Sequence, residues 1–365
     1  MAKYSSPAAF YGALKQKARL VASSENLSVA DVLSSFFFSR LVARVFHAQP
    51  NLWVVKGGHA LFMRYAAAAR LSQDVDIQHS VGGGIEEAVA DLLRAAAHDL
   101  DDFLHFTPAR TSMHENGAEG AKQLFRVHMG TQEVGVLRVD VVTAYGPSVS
   151  PDVRRVTPLI DLAWPADWPD VMLYPIVNHL ADKICAMHER HRGGPSSRYR
   201  DLADILLISQ REEIDGRYAQ VTLRTEARRR QLAGRDLTLP AAFQAPGPAW
   251  PDRYPAVARQ VPGLTGCASW SEAAAAADAF LTPLLAPGPP GIWSPVDTAW
   301  QPRAEQDSPQ ADSSYAQRAQ AITEESRART AAAPDVPPPR PGRAFPPVHP
   351  DVPPPAAGPG MAPGR

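Results

Sequence analysis

Two aspartates alternate with apolar residues in the segment Asp74-Val75-Asp76-Ile77. Successive side chains of a β-strand point to opposite faces, so Val75 and Ile77 would enter a core while Asp74 and Asp76 share the wet face. Neighbouring carboxylates repel each other unless a cation neutralises them, and their hard oxygen atoms suit Mg²⁺. The segment therefore predicts a half-buried strand with a candidate metal site. An ordinary solvated strand face is the alternative.

A pair of glycines precedes this strand. Leu52–Val55 is a short apolar run that predicts a strand, Gly57-Gly58 follows it, and Ala60–Ala69 has a helical pattern. Free backbone N–H groups at a helix start form a cradle for phosphate, which glycines leave open. The alternative is a tight turn that needs glycine only for a positive φ. The order strand, glycine pair, helix, strand and paired acids is much more specific than either motif alone.

A third acid lies in Val134–Val142, another alternating segment that predicts a strand. Val139 and Val141 would face the core and Asp140 the opposite side. If this strand neighbours the first one, Asp140 completes a three-carboxylate site of the kind used in two-metal phosphoryl transfer. A salt bridge from Asp140 to a neighbouring basic residue is the alternative.

Two later helices carry charged residues on apolar faces. Ile176–His191 has an apolar stripe with Lys183 at its edge, where the ammonium group either snorkels to water or reaches a phosphate in a cleft. On the next predicted helix, Tyr199–Ser209, Asp201 and Asp204 share the side that carries the isoleucines. Buried carboxylates are costly without a cation or a donor. For Asp201 the alternative is a simple helix N-cap.

The most basic short loop of the chain connects these two helices. It contains Arg190, Arg192, Arg198 and Arg200. Guanidinium groups suit bidentate recognition of phosphate, so the loop is a candidate RNA contact. The later run Arg224–Arg230 has the same chemistry, and solvated arginines are the alternative for both.

The whole pattern predicts an α+β (α/β) protein with a small mixed sheet. We expect N-terminal helices in residues 1–50, an α/β core in 51–173, a helical half in 174–300 and a disordered proline-rich tail in 301–365. The remaining predicted elements are the strand Leu124–His128 and the helices Pro7–Val21, Ser28–Gln49, Glu86–Leu100, Tyr218–Leu232, Ala256–Gln260 and Ser271–Leu285.

Composition narrows the class of protein. With 45% hydrophobic residues among 365, the chain can bury a substantial core, and its net charge of -1 requires that any polyanion be bound by a local basic patch. Its two cysteines, Cys185 and Cys267, form neither a disulfide framework nor a zinc spacing. Since no stretch approaches the roughly 18 apolar residues of a spanning helix, we expect a soluble cytoplasmic protein with no membrane partner.

Four stretches together resemble the AbiEii/AbiGii abortive-infection toxins, a branch of the DNA polymerase beta-like nucleotidyltransferases. They are Val55-Lys56-Gly57-Gly58-His59-Ala60-Leu61, Arg70-Leu71-Ser72-Gln73-Asp74-Val75-Asp76-Ile77, the segment from Tyr174-Pro175 to Ala181-Asp182-Lys183, and Ser197-Arg198-Tyr199-Arg200-Asp201-Leu202-Ala203-Asp204. The similarity covers about residues 30–285 and makes residues 51–173 a nucleotidyltransferase core.

The resemblance implies roles for individual residues. Asp74 and Asp76 would be the metal-binding acids, with Asp140 as a third ligand, and Asp74, Asp76, Lys183 and Asp201 would be the catalytic residues. The nucleotide-binding residues would be Lys56, Gly57, Gly58, His59 and Ser72. The sequence departs from the family at His59, where a Thr or Ser hydroxyl commonly meets the triphosphate. We expect the imidazole to donate to the same phosphate.

The resemblance also implies a biological role. Such a protein would be the toxin of a bacterial toxin–antitoxin pair, restrained by a cognate antitoxin protein. It would use Mg²⁺ to transfer a nucleoside monophosphate from an NTP to a macromolecular acceptor, with a tRNA 3′ end as the expected acceptor. A non-catalytic module that binds RNA or protein and an antibiotic-modifying nucleotidyltransferase are the alternatives.

Overall fold

The computed structural model describes residues 4–80, 84–114, 120–143, 150–165, 167–190 and 193–303. Within these ranges the helices are α1 (Pro7–Ser24), α2 (Val29–Ala48), α3 (Gly57–Tyr65), α4 (Ile85–Ala96), α5 (Ile176–His188), α6 (Tyr199–Ser209), α7 (Gly216–Leu232), α8 (Trp250–Ala258) and α9 (Trp270–Leu285). The strands are β1 (Trp53–Lys56), β2 (Val75–His79), β3 (Leu104–Met113), β4 (Gly120–Met129), β5 (Gln132–Thr143), β6 (Asp152–Arg155), β7 (Asp170–Leu173), β8 (Glu189–Arg190), β9 (Ile214–Asp215), β10 (Asp236–Leu237), β11 (Ile292–Ser294) and β12 (Ala299–Gln301). The predicted mixed α/β fold is confirmed.

Serine side chains form the N-caps of the two N-terminal helices. Ser6 caps α1, and Ser28 accepts a hydrogen bond from the backbone N–H of Asp31 at 3.0 Å to cap α2. The Ser28 hydroxyl also donates to the Asp31 carboxylate at 2.8 Å. Because these bonds satisfy backbone donors that a helix start leaves free, both predicted helices form close to their expected ends.

A seven-stranded mixed sheet occupies the centre of the α/β core, in the order β3-β4-β5-β2-β1-β7-β6. Strand β2 runs parallel to β5 and antiparallel to β1, and β1 is parallel to β7. The sequence pattern does not predict β3, β6 or β7. Strand β3 lies at a sheet edge, where most of its residues are exposed and the register shifts after Pro108, so it lacks clear alternation.

One face of the sheet is covered by helices α2 and α4, which pack against β5. A buried ionic cluster ties this layer to the sheet. The Asp102 carboxylate accepts a hydrogen bond from Arg40 Nε at 2.6 Å and two from the guanidinium of Arg44, and all three side chains are almost fully buried. Because α2 and α4 cover one face of the sheet, the polar side chains of β2 and β5 lie on its opposite face.

Helices α5 to α9 form a second hydrophobic core after the sheet. Several predicted helix ends differ from the structure; α3, for example, spans Gly57–Tyr65 where the pattern predicts Ala60–Ala69. Helix α5 stops at His188, not His191, because residues 189–190 pair as β8 with β10. Helix α4 stops at Ala96, four residues early, where Asp99 accepts the N–H of Asp101 in a turn with positive φ. Helix α8 begins at Trp250, six residues before its predicted start.

Two global expectations concern the described ranges. No helix there is long and apolar enough to cross a membrane. Cys185 and Cys267 are both free and buried. Most of the predicted disordered tail, residues 304–365, lies outside the described residues.

Candidate active site

A row of charged residues crosses the centre of the sheet. Asp76 in β2 is paired in register with Lys56 in β1 and with Asp140 in β5. Asp74 immediately precedes β2, and its Oδ1 accepts a hydrogen bond from Ser72 Oγ at 3.0 Å. The strand register thus places Asp76 beside Asp140, and Asp74 lies two residues before Asp76, as the sequence predicts.

Electrostatic repulsion accumulates on Asp76. Burial and the nearby Asp74 and Asp140 carboxylates raise the pKa of Asp76 to about 7, despite the opposing effect of Lys183 and Lys56. Carboxylates are brought together at this cost where a cation is to be bound. The donor chemistry of Asp74 and Asp76 fits Mg²⁺, which binds proteins through one or two carboxylates and completes its octahedron with water and substrate phosphate.

Asp140 has a more local partner. Its Oδ1 lies 2.9 Å from Nε2 of His114. Within the described ranges, no three His, Cys, Asp or Glu side chains are grouped so that they could hold a metal ion. The expected three-carboxylate site is therefore not preassembled by these side chains, and the bond to a neighbouring basic residue, the alternative for Asp140, is observed. A role for Asp140 as a third metal ligand stays a prediction.

The turn between β1 and α3 needs glycine at its first position. Gly57 has φ +63°, in the left-handed region, and a Cβ placed on it would lie 1.7 Å from Oδ2 of Asp76. The alternative explanation of the glycine, a turn that requires a positive φ, is observed, and the Asp76 carboxylate occupies the space beside the backbone. The phosphate cradle stays a prediction. The Gly57 carbonyl lies 3.2 Å from Nε2 of His179, which must carry the proton of this hydrogen bond.

The second glycine lies beside a buried ionic network. A Cβ on Gly58 would lie 3.1 Å from Nη2 of Arg70 and 3.1 Å from Oγ of Ser72. Arg70 forms two hydrogen bonds with the carboxylate of Asp204, at 2.9 and 3.1 Å. Lys183 Nζ lies 2.7 Å from Asp204 and 3.1 Å from Asp201. Two cations and two anions thus alternate on one side of the glycine turn.

This network settles the alternatives for α5 and α6. The Lys183 side chain is 8% exposed and does not snorkel to water. Helix α6 is preceded by Arg198 as its N-cap, so Asp201 lies in the first turn and its expected alternative role as a cap is wrong. Although burial opposes it, the charges of Lys183 and Arg70 lower the pKa of Asp204. The predicted buried face with two acids is confirmed, and its cations are Lys183 and Arg70.

Lys56 is held by the helical half. Its Nζ lies 3.1 Å from Oδ2 of Asp182 and 4.0 Å from the centroid of the Tyr174 ring. Asp182 in turn pairs with Arg230, at 3.5 Å. Desolvation lowers the pKa of Lys56, but Asp182 and Tyr174 outweigh it and the pKa is raised. Lys56 therefore contributes a fixed positive charge beside Asp76.

The expected role of the His59 side chain is wrong. Its imidazole is 1% exposed and packs between the rings of Phe38 and Phe62, with centroids 5.7 and 5.9 Å away. Burial lowers the pKa of His59 to about 4, so the ring is neutral. Its position three residues into α3 turns the side chain into the core, and it is not placed to donate to a phosphate.

The basic loop is only partly described. Arg190, Arg198 and Arg200 are exposed, whereas Arg192 lies outside the described residues. Nη1 of Arg198 is 3.8 Å from the Asp201 carboxylate, so this arginine borders the ionic network. In the later run, Arg230 is engaged with Asp182, Glu189 and Glu226 and is not a free phosphate contact.

Sequence reasoning missed Arg70 and the ties between the two halves of the site. Arg70 lies four residues before Asp74, in one of the four stretches that carry the family resemblance. Its partner Asp204 is 134 residues away in the chain, and no local pattern connects the two. The signal that was available is the pair of acids on the buried face of α6, because such acids require cations.

Asp76 and Asp140, which we call the acidic row, lie beside the turn at Gly57-Gly58, and the buried ionic network adjoins the same turn through Arg70. Such a site is that of a nucleotidyltransferase. The chain belongs to the family described as nucleotidyl transferase AbiEii toxins of type IV toxin–antitoxin systems, whose model matches residues 40–277. It is therefore a nucleotidyltransferase toxin of a toxin–antitoxin system. The three acids, the glycine turn and the ionic network of Arg70, Asp204, Lys183 and Asp201 lie within the matched range.

Two solved structures match this chain at low sequence identity. The nucleotidyltransferase toxin MenT4 of Mycobacterium tuberculosis H37Rv is 18% identical, with a TM-score of 0.45 over 71% of this chain and 93% of that one. JHP933 of Helicobacter pylori is 14% identical, with a TM-score of 0.33 over 55% of this chain and 76% of that one. A comparison with curated protein sequences gives no match.

Proposed function

We propose that the chain transfers a nucleoside monophosphate from an NTP to a terminal hydroxyl of an RNA acceptor, with a tRNA 3′ end as the acceptor. The observation that carries the proposal is the contact between Gly57 and Asp76. The Gly57 backbone, which carries no side chain, lies directly beside the Asp76 carboxylate, whose pKa is raised. A phosphate cradle beside a metal-binding acid is what an NTP with its cation requires.

The residues of the site have separate roles in binding the NTP and in positioning charge. The backbone N–H groups at the start of α3 receive the triphosphate, Arg70 adds positive charge beside Gly58, and Lys183 adds positive charge near Asp76. Asp201 and Asp204 hold Lys183, which makes them positioning residues. Mg²⁺, when bound by Asp74 and Asp76, supplies the charge that offsets the triphosphate and the departing pyrophosphate.

The reaction itself exchanges one phosphorus–oxygen bond for another. The acceptor oxygen bonds to the α-phosphorus, the bond from that phosphorus to the bridging oxygen breaks, and pyrophosphate leaves with the electron pair. The hydroxyl proton passes to Asp140, which lies in register beside Asp76. His114 Nε2 keeps the Asp140 carboxylate oriented.

Asp76→Asn tests the proposal, because the amide preserves shape and removes charge. We expect the variant to lose transfer of label from α-labelled NTPs to total tRNA and to lose growth inhibition on expression. Asp252→Asn, a change at an exposed position of α8, is the matched control and should retain both. Transfer at the wild-type rate by Asp76→Asn would overturn the proposal.

The same assay separates the alternatives. Binding of total tRNA without label on any acceptor would identify a non-catalytic module. Label on an aminoglycoside alone would identify an antibiotic-modifying enzyme. We also propose a cognate antitoxin protein as partner, as for a type IV system. Co-expression of the neighbouring gene should restore growth without changing the amount of toxin.

A further inference from the structure

The sheet continues beyond the acidic row into a basic, exposed surface. Asp76, Asp140 and Lys122 lie in one row across β2, β5 and β4. The adjacent row places Arg138 of β5 and Arg110 of β3 on either side of Leu124. We call Lys122, Arg138 and Arg110 the basic sheet face.

The strand register puts these cations on the side of the acids. Asp140 and Arg138 are two residues apart in β5, so their side chains share one face, and the direct partners of Asp140 and Arg138 share it too. Their neighbours Val139 and Val141, which point to the other face, are buried. The basic sheet face is therefore the uncovered side of β3–β5.

The three cations are available for a ligand. All three side chains are exposed, and in the part of the chain that the structure describes none of them forms an ion pair. The nearest carboxylate in register is Asp140, which is held by His114. Like-charged side chains grouped without counter-charges raise the local potential, which attracts a polyanion.

Spacing connects this surface to the acids. Neighbouring strands lie about 4.8 Å apart and alternate residues of one strand about 7 Å apart, so Lys122 is roughly one strand from Asp140 and Arg110 roughly 12 Å away. A chain of phosphates running over β5, β4 and β3 would therefore end at the acidic row. The partly buried Leu124 between the two arginines offers an apolar contact for a sugar or base.

We propose that the basic sheet face binds the phosphodiester backbone of the RNA acceptor and leads its terminal hydroxyl to Asp76 and Asp140. This inference rests on the proposed function and names the surface by which its acceptor is bound. It adds a surface to the candidate RNA contacts of the sequence, because Lys122, Arg138 and Arg110 lie on the sheet and not in the loop at Arg190–Arg200.

The test is RNA binding by a triple variant of the full chain, Lys122→Gln, Arg138→Gln and Arg110→Gln. Total tRNA is titrated at several salt concentrations. Each lost phosphate contact lowers the slope of log affinity against log salt by about 0.7–0.9, so the expected decrease is about 2–3. The Michaelis constant for RNA should rise, while that for the NTP stays unchanged.

The matched control removes three exposed cations elsewhere, with Lys17→Gln and Arg19→Gln on α1 and Arg253→Gln on α8. It should leave the salt slope unchanged, and thermal melting checks that both triple variants are folded. A slope equal to that of the control, or a wild-type protein that does not bind tRNA, would overturn the inference.

The two proposals fail separately. If label is transferred to RNA and the triple variant binds like the control, the proposed function stands and the basic sheet face is wrong. If RNA binds through this face but never receives label, the proposed function fails and the surface stands. Label on a protein, with no RNA bound, would overturn both.

Discussion

Replacement of Gly57 by alanine tests the geometry on which the proposed site depends. Alanine at φ +63° carries a backbone cost of about 1–2 kcal/mol, as expected for a left-handed residue with a Cβ. The Cβ would also lie 1.7 Å from Oδ2 of Asp76, whereas real Cβ contacts are essentially never shorter than 3.0 Å. Either the carboxylate or the turn must therefore move by at least 1.3 Å, the difference 3.0 − 1.7.

Such a displacement should affect activity much more than stability. A misplacement of about 1 Å in an active site costs roughly 100-fold in rate, so we expect at least that loss of NMP transfer for Gly57→Ala. Gly266→Ala is the matched control, because Gly266 has φ +60° and a Cβ there would meet nothing within 4 Å. Gly266→Ala should lose about 1–2 kcal/mol in urea unfolding, or about 2–4 °C in melting temperature per kcal/mol, and Gly57→Ala should lose at least as much because its clash adds to the same backbone cost.

The assay is single-turnover transfer from an α-labelled NTP at saturating tRNA, with urea unfolding of the same preparations. Single-turnover conditions isolate the chemical step from product release. If Gly57→Ala and Gly266→Ala were equally active, the contact between the glycine turn and Asp76 would have no catalytic consequence. The reasoning that assigns Asp76 to the site would then be refuted.

Two further predictions concern charge. Asp102→Ala should destabilise the fold by about 3–5 kcal/mol, because it leaves the buried guanidinium of Arg44 without a counter-ion and Arg40 with Asp167 alone; urea unfolding measures it, and a loss as small as that of Asp252→Ala, about 0.5 kcal/mol or less at an exposed site, would contradict it. The pKa of Asp76 is raised to about 7, so the metal-free protein favours the protonated acid below that pH and Mg²⁺ must displace a proton. Because about a tenth of the acid is ionised at pH 6 and about nine tenths at pH 8, Mg²⁺ should bind roughly tenfold more tightly at pH 8, measured by thermal shift, with no such dependence in Asp76→Asn.

The acidic row could be predicted because its causes are local. Alternation along a strand places Asp76 opposite Val75 and Ile77, and Asp140 opposite Val139 and Val141. The glycine pair likewise predicts a turn in which a Cβ would clash. What the alternation could not give was the register, and the structure shows Asp76 directly beside Asp140. A shift by one residue would have sent the two acids to opposite faces.

The errors arise where packing decides the direction of a side chain. His59 follows the glycine pair, and its position in a motif predicted a phosphate contact. The rings of Phe38 and Phe62 offer that imidazole an apolar site, and its third position in α3 points it inward. Strand β3 was missed because an edge strand buries few residues, so its sequence contains little of the alternation that reveals a central strand.

The residues of the site that lie far apart in the sequence come together for one physical reason. A carboxylate at the buried face of α6 is stable only with cations, and those of Asp204 come from α5 and from the segment before β2. Lys56 and Asp182 make a second tie, from the strand before the glycine turn to α5. Because one tie lies on each side of that turn, the helices after residue 175 hold the turn that we propose as the nucleotide cradle. Removing either tie should therefore lower label transfer from an NTP as well as stability in urea unfolding, and full transfer by Asp204→Asn or Asp182→Asn would contradict this coupling.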